Sequence, residues 1–350
     1  MQSIYASSFD TKSSEKAVDL EHRRKLNFNI SKYNAVVPKG KAQFPDLTRV
    51  RELAKNKKWE AIEHLDLYLT QFEDQITKRG AKVFWAEDSE QALNFIGELC
   101  KEKQCKSVVK SKSMVTEEIH LNDYLTSIGV ESVETDLGEY IQQMDGEAPY
   151  HIVTPAMHKS KEDVAQLFNK HLGTDISLTP EQLTLVARKN LRDKYVQAEI
   201  GITGANFILS DIGGIALTEN EGNARLSVAW PKTHVVIVGI EKTIPSMNDL
   251  GLFWPLLATY GTGQQITVYN SIITGPRQPG EVDGPEEMYV ILLDNGRTDL
   301  LSNAKAREAL YCIRCGACLN ACPVYKNIGG HAYDTTYSGP IGSVITPHLR

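Results

Sequence analysis

The chain has 350 residues, of which 41% are hydrophobic and 23% are charged, a balance typical of a globular protein of about two domains. A net charge of −6 argues against nucleic acid as the main partner, because the basic surface that such a partner requires is missing. We see no apolar run long enough for a membrane-spanning helix and no signal peptide in the first 25 residues. Six cysteines, four of them in one short motif, indicate a reducing compartment, so we expect a cytoplasmic protein.

Residues 1–45 are polar and show no convincing period of helix or strand. Because Pro38 and Pro45 interrupt regular elements, we expect an extended N-terminal arm that lies on the main body or on a partner. Residues 46–56 predict a short helix, and a longer helix follows, in which apolar residues recur at steps of three and four until Gly80. These apolar residues are Trp59, Ile62, Leu65, Leu69, Phe72 and Ile76.

Strand and helix patterns alternate from residue 82 onward. The predicted strands are Lys82–Ala86, Ser107–Lys110, Val130–Thr135 and His151–Thr154. The predicted helices are Ser89–Cys100, Met114–Ile128, Ser160–Leu172 and one that opens with the capping motif Thr179–Gln182. Strands separated by helices indicate parallel crossovers, so we expect an α/β domain with a doubly wound sheet.

Short β-type runs become more frequent after Gly201. These runs are Phe207–Ser210, Ile215–Thr218, Leu226–Ala229, His234–Gly239, Ile266–Ser271 and Met288–Leu293. Between them, Ser246–Tyr260 predicts a helix that is kinked at Pro255, and Thr274–Gly284 predicts an exposed loop. Residues 298–311 predict a helix that leads the chain to the cysteine motif.

The motif itself contains Cys312, Cys315, Cys318 and Cys322 at the spacing C-x2-C-x2-C-x3-C-P, which is typical of ferredoxin-type [4Fe–4S] clusters. Soft thiolates select iron–sulfur or zinc over harder cations. Zinc sites commonly use two separated pairs of ligands, and the chain offers no second pair. The spacing therefore favours a [4Fe–4S] cluster over a zinc knuckle or a group of buried free thiols.

The fourth cysteine leaves the number of clusters open. In two-cluster ferredoxins the last cysteine of such a run ligates the other cluster. Either Cys322 completes the first cluster, or the chain is a fragment of a longer two-cluster protein, since no second run occurs before Arg350. We favour the second interpretation, and so expect an α/β domain at 46–296 followed by the first part of a ferredoxin-type domain at 297–350.

Lys110–Ser113 follows a predicted strand and precedes a predicted helix. Ligands of α/β proteins bind at the carboxyl ends of parallel strands. A helix start offers free N–H groups to an anion, and Lys112 adds a positive charge. A capped helix start with solvated lysines is an equally good interpretation.

Three polar turns lie further along the chain, at Gly201–Asn206, Asp211–Gly214 and Thr218–Asn223. Glycines let the backbone approach a ligand, and Asn, Thr and Glu supply donors and acceptors, although polar turns between strands are the simpler alternative. Lys232–His234 precedes a strand, and its lone histidine is better explained as structural. A dinucleotide site at Gly261–Ile266 is disfavoured, because this segment follows a helix.

Six segments share a pattern with one known family. They are Lys110–Ile119 (K-S-K-S-M-V-T-E-E-I), Gly201–Phe207 (G-I-T-G-A-N-F), Thr218–Asn223 (T-E-N-E-G-N), Cys312–Tyr325, Gly329–Tyr333 (G-G-H-A-Y) and Ser338–Gly342 (S-G-P-I-G). Together they resemble the LutB family, the iron–sulfur proteins of the bacterial L-lactate utilisation system, whose α/β domain is called LUD. The cysteine run alone is generic, whereas T-E-N-E-G-N and the glycine-rich tail are specific.

The resemblance implies a LUD fold similar to ribose-5-phosphate isomerase and CoA-transferase-like α/β folds, with a helical N-terminal arm. It also implies oxidation of L-lactate to pyruvate, a small carboxylate substrate, LutA- and LutC-like partner proteins, and two [4Fe–4S] motifs in the full-length protein. We therefore expect an electron-transfer subunit of an L-lactate-oxidising oxidoreductase. The alternatives are a non-catalytic LUD module that binds a metabolite or docks partners, with a structural or redox-sensing cluster, and an adaptor for a different hydroxy acid.

A catalytic LUD cleft would use the polar turns in separate roles. Lys112 and Ser113 would hold a carboxylate or phosphate, and Glu219 or Glu221 would act as general base. The residues that would orient the ligand are Thr203, Asn206 and Asn223.

Overall fold

A six-stranded parallel sheet lies at the centre of the computed structural model, which describes residues 4–349. The strands of the chain are β1 (Lys82–Ala86), β2 (Ser107–Lys110), β3 (Glu131–Glu134), β4 (Ile200–Thr203), β5 (Phe207–Leu209), β6 (Gly214–Glu219), β7 (Thr233–Gly239), β8 (Thr243–Ile244), β9 (Tyr269–Ile273) and β10 (Glu287–Leu293). The central sheet has the order β1-β10-β7-β4-β2-β3, and all neighbouring strands in it run parallel. The predicted α/β fold with a parallel sheet is confirmed.

Helices cover both faces of this sheet and form both ends of the described chain. They are α1 (Ile4–Val18), α2 (Leu20–Lys41), α3 (Leu47–Glu63), α4 (Leu65–Thr77), α5 (Ser89–Glu102), α6 (Met114–Glu118), α7 (Leu121–Ser127), α8 (Leu137–Asp145), α9 (Lys161–Leu172), α10 (Pro180–Gln197), α11 (Asn223–Ala229), α12 (Leu250–Thr262), α13 (Arg297–Ser302), α14 (Ala317–Ala321), α15 (Tyr325–Ile328) and α16 (Gly339–Ile345). Within residues 4–349, no helix has both the length and the apolar character needed to cross a membrane.

The two central strands β7 and β10 are apolar on both faces. Val236 pairs with Val290, and both belong to the core on one face of the sheet. Ile237 pairs with Ile291, and both belong to the core on the opposite face. Because helices cover both faces, successive residues of a parallel strand are all buried, which explains the unbroken Val and Ile runs in the sequence.

A smaller sheet has the order β8-β5-β6-β9. The turn between β5 and β6 contains Gly213, whose φ angle is +61°. A Cβ atom there would lie 2.4 Å from the backbone nitrogen of Ile76, so this turn also requires glycine for space. Phe207 of β5 packs with Phe253 of α12, their ring centres 5.1 Å apart.

The N-terminal arm is helical, as the fold-class prediction required, but the expected extended form is not observed. Asp19 begins α2 by accepting the N–H of His22 at 3.0 Å. Pro38 lies inside α2, close to its end. Helix α2 packs on α12 so closely that Gly40 contacts Gly263, and this packing offsets the hydrogen bond that Pro38 cannot donate.

Two segments that were predicted as strands have another structure. His151–Thr154 is a turn, in which His151 Nδ1 accepts the N–H groups two and three residues later at 3.1 and 3.2 Å. Leu226–Ala229 belongs to helix α11, because the carboxylate of Glu219 accepts the first free N–H groups of this helix.

Several predicted helices are interrupted. The helix predicted over residues 114–128 breaks between α6 and α7 at His120, whose φ angle is +52°. The helix predicted over residues 298–311 consists of α13 and the separate 3-10 turn Arg307–Tyr311. The break between α3 and α4 falls at His64, several residues later than predicted. Strands β4 and β8 and helix α8 were not predicted.

The cluster segment packs into the same body as the central sheet. Leu310, Tyr337 and Ile345 are buried in the core that contains Val236 and Val290. The loops that leave the carboxyl ends of β2, β4 and β7 line one cavity together with the cysteine loop. This edge of the sheet therefore positions the candidate site.

Candidate ligand cleft and cluster loop

A cavity of about 400 Å³ lies at the carboxyl ends of β2, β4 and β7. It brings together six of the seven residues that were predicted for the cleft: Lys112, Ser113, Asn206, Glu219, Glu221 and Asn223. The cysteine loop supplies Arg314 and Cys315 to the same wall, and helix α2 supplies Tyr33, whose hydroxyl hydrogen-bonds to Thr154. The N-terminal arm is therefore part of the cleft.

Both carboxylate oxygens of Glu219 are hydrogen-bonded to the main chain. Its Oε2 accepts the N–H of Ala224 at 2.7 Å, and its Oε1 accepts the N–H of Arg225 at 3.0 Å. Burial raises the pKa of Glu219, and the two N–H groups oppose that rise. Both carboxylate oxygens thus hold the start of α11.

Glu221 is the freer of the two glutamates. Its Oε2 accepts the N–H of Leu137 at 3.1 Å, at the start of α8. The residue is exposed to solvent, while protein atoms around it partly desolvate its carboxylate. This desolvation and the negative charge of Asp136 raise the pKa of Glu221 to about 7, which suits a general base.

The positive charge of Lys112 is already balanced by the protein. Its Nζ donates to the carbonyl of Val153 at 3.0 Å and lies 3.7 Å from Asp136 Oδ2. Burial alone would lower the pKa of Lys112, but nearby carboxylates, first of all Asp136, outweigh it and raise the pKa above its usual value.

Three small polar side chains can orient a ligand. Asn206 Oδ1 accepts the N–H of Thr218 at 2.8 Å, and its amide nitrogen has no partner among residues 4–349. Asn223 is buried, and no hydrogen bond to its side chain occurs within the same described range. Ser113 begins α6 without a capping bond and lies against Gly204, where a Cβ atom would be 2.6 Å from Ser113 Oγ.

Thr203 lies outside the cleft. It is fully buried, and its hydroxyl is 2.9 Å from His234 Nε2. Burial lowers the pKa of His234 to about 3, so this imidazole stays neutral. The pair therefore packs β4 against β7 below the floor of the cleft.

The cysteine loop is shaped for a cluster. Cys312, Cys315 and Cys318 are half-buried, and the backbone between them turns at Arg314 (φ +60°) and Gly316 (φ +77°). The N–H of Arg314 points at Cys312 Sγ at 3.4 Å. Burial, and then repulsion from the other two thiols, raises the pKa of Cys315 to about 11, so three neighbouring thiolates need a metal centre between them. This donor set fits a [4Fe–4S] cluster.

Cys322 follows at the end of α14. Its Sγ accepts the N–H of Tyr325 at 3.5 Å, and its charge acts on Tyr333. Cys318 and Cys322 both pack against the apolar cluster that contains Tyr150 and Tyr325.

Comparison with known proteins agrees with this architecture. A model of the LUD domain matches residues 69–293, and a model of the 4Fe-4S dicluster domain matches residues 308–348. The chain belongs to the LUD-domain family. Two proteins named lactate utilization protein B are similar to it. The protein from Bacillus cytotoxicus is 47% identical over 299 residues, and the protein from Shouchella clausii is 46% identical over 301 residues.

These matches cover 85% and 86% of this chain, respectively, and 63% of each relative. The chain thus spans just under two thirds of the length of the curated relatives that it matches. A solved structure of a DUF162 family protein from Deinococcus radiodurans covers 65% of this chain and 98% of its own, with 14% identity and a TM-score of 0.37. The resemblance to the LutB family, the LUD domain and the 4Fe-4S segment are confirmed.

A buried ionic network supports the LUD cleft from beneath the cysteine loop. Arg297 donates to both carboxylate oxygens of Glu118 at 2.9 Å, and its Nε donates to Glu241 at 2.5 Å. Arg314 Nη2 lies 3.3 Å from the same Glu241. Lys58 donates to the backbone carbonyl of Glu241. The network anchors both the turn after β7 and the cysteine loop.

Sequence reasoning missed several polar residues that line the LUD cleft, among them Tyr33, Asp136 and Lys242. Tyr33 is distant in sequence and carries no local signal. Asp136 and Lys242 closely follow the carboxyl ends of β3 and β7, so the strand-end rule that singled out Lys112 could also have found them.

Proposed function

We propose that this chain is the iron–sulfur electron-transfer subunit of an L-lactate-oxidising system, and that its LUD cleft binds a small carboxylate. The main support is the shared wall of the cleft, which Glu221 lines from the LUD domain and Cys315 lines from the cluster loop. A ligand in this cleft would lie beside the cluster, which favours rapid electron exchange. The names of the similar proteins point to lactate as the acid.

Oxidation of L-lactate to pyruvate releases two electrons and two protons. An iron–sulfur cluster passes single electrons, so a flavin, a nicotinamide or a partner's metal centre must take up the pair. Within this chain, Glu221 would accept the hydroxyl proton, because its pKa of about 7 allows both proton uptake and release. Asn206 and Asn223 would orient the ligand through their free amide groups.

The full-length protein would hold two [4Fe–4S] clusters. Cys312, Cys315 and Cys318 would bind the first, and Cys322 would serve the second. The dicluster character of the matching domain supports this division. LutA- and LutC-like proteins would complete the system, and a cytoplasmic location would keep the thiolates reduced.

A non-catalytic role is the second candidate. Glu219 and Lys112 both use their charges inside the protein, which favours a cleft that only senses a metabolite or docks a partner. The cluster would then be structural or redox-sensing.

The deciding experiment is lactate-dependent reduction of the cluster, followed by EPR under anaerobic conditions with LutA- and LutC-like proteins present. We expect a reduced-cluster signal that appears with L-lactate and forms at least about tenfold more slowly in Glu221→Gln. Glu181→Gln, at a fully exposed position, is the matched control and should behave as the wild type. A cluster that lactate never reduces would support the non-catalytic role instead.

The division of the cysteines has its own test. Iron and sulfide are measured in this chain and in the full-length protein after the same anaerobic reconstitution. We expect a complete cluster content in the full-length protein and little in the 350-residue chain, because the ligand sets are shared. A stable complete cluster in the shorter chain would show that its four motif cysteines suffice.

A further inference from the structure

Lys242 ends the 3-10 turn Ile240–Lys242, directly after β7. The residue is 8% exposed, and it lines the LUD cleft together with Arg314 and Cys315. In the part of the chain that the structure describes, no side chain or carbonyl pairs with Lys242 Nζ. A buried ammonium without a partner is costly, so its place in a cavity wall points to a ligand.

Arg314 contributes free donors beside Lys242. Its Nη2 is engaged by Glu241 at 3.3 Å, and its guanidinium lies 5.0 Å from the centre of the Tyr337 ring. Its Nε and Nη1 atoms are buried and have no hydrogen-bond partner among residues 4–349. Two guanidinium nitrogens beside the ammonium thus lack a protein acceptor.

The two cations also act on each other. Burial, and then the positive charge of Arg314, lower the pKa of Lys242 to about 8. An anion bound between them would relieve this repulsion and supply the missing acceptors through charge-assisted hydrogen bonds. Lys112 does not offer such a site, because Val153 and Asp136 already engage its ammonium.

We propose that Lys242 and Arg314 form the anion subsite of the LUD cleft, and that they bind the carboxylate of a small 2-hydroxy acid or of the corresponding 2-oxo acid. The inference rests on the proposed function for the identity of the acid. The 2-hydroxyl on the carbon next to the carboxylate would face Glu221, and Leu257 and Ala258 of α12 offer apolar contacts for the carbon chain.

A cluster held by Cys312 would be a second anion for this pair, since Cys312 acts electrostatically on both Lys242 and Arg314. Lys242 nevertheless differs from Arg297, which is fully paired with Glu118 and Glu241 and does not line the cleft. Its exposure to the cavity favours a ligand in the cleft, and the experiment separates the two roles.

The test measures binding of L-lactate, pyruvate and inorganic phosphate to the reconstituted protein by isothermal calorimetry, without partner proteins. Lys242→Met keeps the length of the side chain and removes its charge, and Lys242→Arg restores the charge. Lys232→Met is the matched control, because its side chain is 80% exposed and lies outside the cleft. We expect Lys242→Met to weaken carboxylate binding at least about tenfold, Lys242→Arg to recover part of it, and the control to change nothing.

Two further measurements, of thermal unfolding and of the cluster's midpoint potential, can refute the proposal. Thermal unfolding of ligand-free Lys242→Met should occur at the wild-type temperature or above, because the variant removes an unpaired buried charge; binding loss in a folded variant then supports the subsite. A shift of the cluster's midpoint potential with unchanged carboxylate binding would overturn the proposal and assign Lys242 to the cluster.

Binding of phosphate but neither carboxylate by the wild type would also overturn the proposal. Failure of the proposed function gives a different result. In that case lactate does not reduce the cluster, although carboxylate still binds with the expected dependence on Lys242.

Discussion

Two buried ionic networks lie at the carboxyl edge of the same sheet, and they carry opposite excess charge. The acidic network consists of Lys110, Glu117, Glu134 and Glu139. The basic network consists of Glu118, Glu241, Arg297, Arg314, Lys58 and Lys242. The first has one basic group for three carboxyl groups, whereas the second has four basic groups for two carboxyl groups.

The two networks compensate their excess charge in different ways. In the acidic network, burial and the charge of Glu134 raise the pKa of Glu139 well above its usual value, so a retained proton removes one negative charge. The arginines of the basic network cannot release a proton, and they pair with Glu118 and Glu241 instead. Its unpaired lysine faces the cleft beside the cysteine loop. The excess positive charge therefore lies where a negative cluster or an anionic ligand can neutralise it.

The largest expected effect comes from removing the centre of the basic network. Arg297→Met would leave Glu118 and Glu241 without their main buried partner, so we expect a loss of roughly 3–5 kcal/mol in the free energy of unfolding. Guanidinium unfolding measures it. The control Arg277→Met breaks a more exposed pair with Glu286 and should cost less than about 1 kcal/mol. Equal losses in the two variants would contradict the central role of Arg297.

A smaller loss in the free energy of unfolding is expected for Tyr337, a neutral side chain that contacts the basic network. Tyr337 is buried and donates its hydroxyl to Glu118 at 2.7 Å, so Tyr337→Phe should cost roughly 1.5–3 kcal/mol. Tyr68→Phe removes a similar bond to Glu60 at 2.8 Å in a half-exposed setting and should cost less than about 1 kcal/mol. Urea unfolding of both variants compares them, and a larger loss for Tyr68→Phe would show that burial does not decide the strength.

The effect that is smallest at any one pH unit is expected in the acidic network, where the slope of stability against pH should change. The pKa of Glu139 is raised in the folded protein, so above pH 4.5 the unfolded chain loses this proton first. Stability therefore falls as pH rises, by at most about 1.4 kcal/mol per pH unit for one proton. Glu139→Gln should remove this contribution between pH 5 and 7. Glu181→Gln should keep it, and an unchanged slope in Glu139→Gln would rule out proton retention at Glu139.

Local patterns were sufficient for most of the sheet. Lys82–Ala86 and Ser107–Lys110 have the predicted bounds, because short runs of Val and aromatic residues between charged turns define them. Strand β4 escaped prediction because Gly201 interrupts its apolar run. A Cβ atom at Gly201 would lie 1.8 Å from the carbonyl oxygen of Ser227, so a contact distant in sequence requires the glycine.

In the candidate site too, one part was predictable from local sequence and another part depends on the fold. The cysteine spacing is local, and it alone predicted the cluster loop. The partners of Lys112 and Glu219 depend on the fold, so their residue types could not show that their charges are used inside the protein. The strand-end rule could have found Lys242, but its position beside the cysteine loop depends on the fold.

The N-terminal arm has a consequence for the order of assembly. Lys12 pairs with Asp334 at 2.6 Å, and Asn27 of α2 hydrogen-bonds to the carbonyl of Lys326 at 3.1 Å. Helices α1 and α2 therefore dock on partners that lie about 300 residues later in the chain and are synthesised after them. Because α2 also carries Tyr33, the wall that it contributes to the cleft closes after the cysteine segment has been made. The N-terminal arm therefore docks after the cysteine segment is in place.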